Sequence, residues 1–123
     1  MAKKLAIIFG VVFVVVGLLG FISNPIVGYS SGAIFQTNAL HNIVHLLIGV
    51  VMIAMAGTAG AMVLTVFGVV YALLAVVGFI VGPGNLLGLV TLNHADNYLH
   101  LVLAIVLLAA SMYVKKDTSP AVM

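Results

Sequence analysis

The sequence predicts an all-α fold: a four-transmembrane-helix bundle built from two parallel repeats of a helical hairpin. Of 123 residues, 65% are hydrophobic and 5% charged, with a mean hydropathy of +1.42, whereas soluble domains carry about 25% charged residues. Residues 38–46 return as residues 93–101, and residues 9–22 return as residues 67–80. We therefore predict one integral membrane domain, residues 1–123, with a pseudo-twofold axis along the membrane normal.

Four apolar runs are long enough to cross a hydrocarbon core of about 30 Å at about 1.5 Å per residue. We place these spans at residues 5–22, 39–57, 61–81 and 96–114. The first run follows Lys3 and Lys4, as in a cleavable signal peptide, but its repeat partner deep in the chain favours a permanent span. The first repeat then comprises about residues 5–57, and the second comprises about residues 61–114.

Lysines flank both ends of the chain, at positions 3, 4, 115 and 116. Because positive residues favour the cytoplasmic side, we expect both termini to be cytoplasmic, which an even number of spans permits. Residues 57–60 would then form a cytoplasmic turn. The longer connections, residues 23–38 and 82–95, would face outward.

Each repeat places its rare polar side chains at the start of its second helix. Asn38 and Asn93 stand where an asparagine caps free backbone N–H groups, and Asn93 with Asp96 has the spacing of a capping box. A polar stripe in a bilayer should face a helix or a ligand, since lipid would leave it unpaired. The candidate site residues are Asn42, His45, Asn97 and His100, with His41 and Asp96 at equivalent flanking positions. We expect them to converge near the pseudo-twofold axis.

Three interpretations of His45 and His100 stay open. Each imidazole can hydrogen-bond the opposite motif or an outer loop and so tie the repeats together. The pair can instead ligate haem or chlorophyll, with Asn42 and Asn97 beside them. A divalent metal such as Zn or Cu can also bind, and spacing alone does not choose among these. Its ligands would be His41, His45, Asp96 and His100.

The residues just described resemble a known family. The run from Asn38 to Gly49, the Phe9-Gly10 and Gly20-Phe21 pairs, and residues 96–101 are similar to the DUF4383 family, over about residues 5–111. Its members are small bacterial four-helix membrane proteins of unknown function. The resemblance implies the topology above and a bacterial inner membrane or internal membrane, and it supplies no activity.

Enzymatic function is disfavoured, because one carboxylate stands with four histidines and no nucleophile lies near them. The net charge of +2 comes from the flanking lysines and does not indicate nucleic-acid binding. Transport of protons or small solutes is an alternative, although the inner halves of the spans are apolar. We expect an accessory or scaffold protein without a cofactor. Its partners would be the lipid bilayer and a larger membrane complex or further copies of itself.

Overall fold

The computed structural model describes residues 1–22, 24–29, 32–86 and 90–117. Its helices are α1 (Ala2–Leu19), α2 (Ala39–Val81) and α3 (His94–Asp117). Its short strands are β1 (Val27–Gly28), β2 (Phe35–Gln36), β3 (Gly84–Leu86) and β4 (Val90–Leu92). The predicted all-α class is confirmed.

In the described part of the chain, three helical segments are long and apolar enough to cross a membrane. They are Ala2–Leu19, Ala39–Val81 and His94–Val114. Large apolar side chains cover the outside of the bundle, with Ile80 78% exposed and Leu73 61% exposed. Such a surface is costly in water and suits lipid. These helices and this surface therefore fit a multi-pass membrane protein, as the sequence predicted.

Over the described residues the structure has three helices where the sequence predicted four, because the second and third predicted spans form one helix of 43 residues, α2. Ala59, inside the predicted turn, has non-helical angles (φ −144°, ψ 37°) that kink this helix. A straight helix would extend about 39 Å from His45 to Tyr71. Both rings nevertheless contact Phe13, with centroid distances of 5.8 Å and 5.4 Å. The chain therefore folds back at Ala59.

Glycines set how closely the helices approach. A Cβ atom added at Gly49 in α2 would lie 2.6 Å from the backbone oxygen of Gly10 in α1. Beyond the kink, a Cβ atom at Gly68 would lie 2.8 Å from the Leu108 side chain in α3. The part of α2 before Ala59 therefore packs against α1, and the part after it packs against α3. Such contacts between small residues are typical of helices in lipid.

Short strand pairs cover the ends of the helices that carry the polar motifs. Strand β1 pairs parallel with β2, and β3 pairs antiparallel with β4. Val27 in β1 and Leu92 in β4 are buried, at 4% and 3% exposure. The connections before α2 and before α3 thus both pack on the bundle, the first through a parallel strand pair and the second through an antiparallel one.

Candidate functional site

Side-chain caps fix where α2 and α3 begin. The Asn38 side chain accepts a hydrogen bond from the His41 backbone N–H at 2.9 Å. Asn93 Oδ1 accepts one from the Asp96 N–H, and Asp96 Oδ2 accepts one from the Asn93 N–H, both at 2.9 Å. This reciprocal pair is the predicted capping box. It anchors the Asp96 carboxylate at the first turn of α3.

Three histidines meet inside the bundle, within about two helical turns of those caps. The ring nitrogens that could ligate an ion in His41, His45 and His100 all lie within 4.8 Å of one another. The ring centroids are 4.6 Å apart for His41 and His45, and 6.4 Å apart for His45 and His100. All three residues are buried, at 2–4% exposure. We call these three residues the histidine cluster; it joins the start of α2 to α3.

Hydrogen bonding differs sharply within the histidine cluster. His41 Nδ1 donates to the backbone oxygen of Thr91 at 2.8 Å, so its Nε2 carries the lone pair when the ring is neutral. Neither ring nitrogen of His45 or of His100 has a hydrogen-bond partner among the described residues. A buried polar group left unpaired costs about 1–3 kcal/mol. Four such nitrogens in one place therefore require an explanation.

The two asparagines of the predicted site contact glycines instead of the imidazoles. The Asn42 amide lies where a Cβ atom on Gly20 would be, and the Asn97 amide lies likewise against Gly78. Asn97 Nδ2 donates to the backbone oxygen of Gly78 at 3.2 Å. The Asn42 amide has no hydrogen-bond partner in the described part of the chain. Both asparagines are thus placed at helix–helix contacts.

Asp96 is close to the histidine cluster without belonging to it. It is 2% exposed and lines a cavity of about 200 Å³ together with His45 and Thr37. It is absent from the described group of side chains placed to share an ion. His94 is the first residue of α3, and its side chain is exposed. Of the four predicted metal ligands, the structure therefore brings together the three histidines.

A second cavity, of about 90 Å³, opens directly onto all three histidines. Tyr71 also lines it, with its ring centroid 5.0 Å from that of His100. The remaining walls are apolar and consist of Val44, Leu74, Val90 and Leu92. A water molecule needs only about 10–15 Å³ of such volume, so the histidines face a space large enough for a small ligand.

Sequence reasoning missed two parts of this site. The Thr91 carbonyl orients His41, but a backbone atom in a short strand leaves no mark in the residue pattern. Tyr71 was recognisable as the counterpart of Phe13 in the repeat, and the structure adds that its ring stacks on Phe13 and approaches His100. Both features form because α2 folds back at Ala59.

The site offers the chemistry of a metal centre. Neutral imidazoles are ligands for zinc, copper, iron and nickel, and three histidines form a common protein ligand set. A hydrogen bond from the nitrogen that does not ligate, as His41 makes to Thr91, fixes the orientation of a ligand ring. The histidine cluster therefore suits one transition-metal ion.

Comparison with known proteins identifies a family. The model of a family described as "Domain of unknown function (DUF4383)" matches residues 3–113. No curated protein and no solved structure matches the chain.

Proposed function

The chain belongs to the DUF4383 family, and we propose that it is a metal-binding membrane protein whose three clustered histidines hold one transition-metal ion. The observation that carries this proposal is the set of four unpartnered ring nitrogens on His45 and His100, among the described residues, beside His41. A bound ion would accept one lone pair from each ring. It would therefore satisfy one of the two unpartnered nitrogens on His45 and one of the two on His100.

The size of the surrounding space favours an ion over haem or chlorophyll. The cavities next to the cluster measure about 90 Å³ and 200 Å³, whereas pockets for ligands of drug size measure about 300–1,000 Å³. The ring centroids of His41 and His45 are also only 4.6 Å apart. The His41 ring therefore occupies space beside His45 that a macrocycle bound to His45 would need. The two asparagines that would flank a pigment are instead packed against glycines.

The proposed topology has α2 crossing the membrane twice, which gives four crossings and two hairpin repeats. The fold-back at Ala59 supports this, since α2 has 43 residues and a crossing needs about 20. The contact of Gly20 with Asn42 and that of Gly78 with Asn97 also involve positions that are equivalent in the sequence repeat. With both termini cytoplasmic, the histidine cluster would lie in the outer half of a bacterial membrane.

A scaffold role is the second candidate, and two hydrogen bonds between the proposed repeats favour it. His41 Nδ1 donates to the Thr91 oxygen at 2.8 Å, and Asn93 Nδ2 donates to the Ile34 oxygen at 3.0 Å. These bonds tie the connection before each long helix to the other repeat. In this role the polar motifs hold the two repeats in a fixed arrangement, and the apolar outer faces of the helices pack against a larger membrane complex.

Metal content separates the two candidates. The protein, purified in detergent, is stripped with a chelator, exposed to zinc or copper and freed of excess metal. We expect about one ion per chain in the parent, and little or none in His45→Ala and His100→Ala. His94→Ala is the matched control because His94 is exposed and outside the cluster. If the parent retains no more metal than a His45→Ala/His100→Ala variant, the metal-binding proposal is wrong.

A further inference from the structure

The charges around the histidine cluster are few and can be counted. The sequence has two acidic residues, Asp96 and Asp117. Asp117 is the last residue of α3, about 31 Å along that helix from Asp96. Asp96 is therefore the only acidic residue on the side of the bundle where the cluster lies.

Asp96 is positioned to act at a distance on an ion in the cluster. It takes the place in the second copy of the motif that His41 takes in the first. It shares the cavity of about 200 Å³ with His45, whereas His41 shares the cavity of about 90 Å³ with the same ring. Its Oδ2 is held by the Asn93 N–H at the helix start. The carboxylate thus lines the same cavity as His45 while remaining fixed in the capping box.

The cost of burying an ion depends on the square of its charge, so a divalent ion costs about four times as much as a monovalent ion of the same size. Histidine ligands bind in the neutral form and bring no compensating charge. An ionised Asp96 brings one negative charge. A monovalent ion therefore leaves the site neutral, and a divalent ion leaves one positive charge buried among apolar residues.

We propose that the histidine cluster selects monovalent copper, Cu(I), with Asp96 as its counter-ion and not as a ligand. This inference rests on the proposed metal-binding function and narrows it to one ion. Imidazole suits zinc and copper alike, so ligand type does not decide between them. The apolar walls of the cavity beside the cluster, formed by Val44, Leu74, Val90 and Leu92, also suit an ion that keeps few ligands and no tightly held water.

The test compares the affinities for Cu(I) and Zn(II). The full chain in detergent is titrated under anaerobic, reducing conditions with each ion against a chromophoric chelator of known affinity. We expect Cu(I) to bind with a Kd at least about tenfold below that of Zn(II). Equal affinities, or tighter binding of Zn(II), would overturn the choice of ion and leave metal binding intact. Absence of binding for both ions would overturn the proposed function itself.

Asp96→Asn tests the counter-ion, because asparagine keeps an oxygen for the capping bond to Asn93. We expect it to weaken Cu(I) binding by about tenfold or more through the lost charge. Asp117→Asn is the matched control. It should bind Cu(I) as tightly as the parent does, because Asp117 is the last residue of α3 and lies far from the cluster. Unchanged Cu(I) affinity in Asp96→Asn would overturn the counter-ion role. If Asp96→Asn loses all Zn(II) binding but keeps its Cu(I) binding, Asp96 is a zinc ligand and its proposed role as counter-ion is wrong. The comparison of the two ions in the parent does not depend on either variant.

Discussion

His41 at the start of α2 donates a hydrogen bond from Nδ1 to the backbone oxygen of Thr91 in β4, over 2.8 Å. This bond joins two parts of the chain that lie 50 residues apart in sequence. It also fixes the ring, so that Nε2 is the nitrogen with a free lone pair. His45 and His100 make no comparable bond with the described residues. The three imidazoles of the histidine cluster thus differ in their hydrogen bonding, and we expect their substitutions to have different effects on stability.

The first prediction concerns the stability of the metal-free protein. His41→Leu should lower the free energy of unfolding by about 1 kcal/mol, because it removes the bond to Thr91. His45→Leu should leave that free energy unchanged or raise it, because leucine fills similar space and removes two unpartnered polar atoms. Unfolding by titration with a denaturing detergent, in the presence of a chelator, measures both variants. An equal loss in both would indicate that His45 is hydrogen-bonded, as the structural interpretation requires.

The second prediction concerns the contact between the α1 and α2 backbones at Gly49. Gly49→Ala should destabilise the protein by about 1–3 kcal/mol, because the new Cβ atom would meet backbone atoms of α1 at 2.6–2.8 Å and α1 would have to move. Gly57→Ala is the matched control, since a Cβ atom at Gly57 meets nothing within 4 Å. Thermal unfolding of the two variants in the same detergent gives the comparison. Similar unfolding temperatures for both would show that α1 and α2 do not pack through Gly49.

The third prediction concerns the packing of the two motif asparagines, Asn42 and Asn97, against glycines. Gly20→Ala and Gly78→Ala should each destabilise the protein by about 1–3 kcal/mol, because the added methyl group displaces the amide of Asn42 or Asn97. If the two contacts are equivalent, the losses should be similar in size. Unfolding in detergent measures them. A loss at only one of the two glycines would contradict the proposed equivalence of the repeats.

The fourth prediction concerns topology. The chain has no cysteine, so single cysteines can be introduced at Tyr29, Thr58 and His94, which are all exposed. If α2 crosses the membrane twice with both termini cytoplasmic, an impermeant thiol reagent should label Tyr29→Cys and His94→Cys in intact cells and leave Thr58→Cys unlabelled. Permeabilised cells provide the control for reactivity. Labelling of all three in intact cells would contradict a double crossing, and the opposite pattern would reverse the orientation.

The starts of α2 and α3 were largely predictable from the sequence. Apolar composition predicts membrane-spanning segments, and the Asn38 and Asn93 caps mark the beginnings of α2 and α3 to within a residue. The turn predicted at residues 57–60 appears as a kink at Ala59 within a single helix. The residue pattern does not distinguish these outcomes, because alanine and glycine can both continue a helix at modest cost.

The composition of the site was predictable only in part. Spacing suggested that His41, Asn42 and His45 share a helix face, and the structure groups His41 with His45 while Asn42 packs against Gly20. Successive residues of a helix differ by about 100°, so His41 and Asn42 lie on either side of the direction of His45. Which side meets α3 depends on how α2 is rotated in the bundle, and the contact between Gly20 and Asn42 sets that rotation. This is a tertiary contact that no local pattern reports.

X-ray absorption spectroscopy of the copper-loaded protein tests the histidine cluster most directly. Three imidazoles predict three nitrogen neighbours at about 2 Å, together with the outer-shell scattering of histidine rings. His94→Ala should give the same spectrum, and His100→Ala should lose the three-nitrogen shell. A spectrum dominated by oxygen neighbours, or one that is unchanged by His100→Ala, would show that the ion binds elsewhere and would contradict the account.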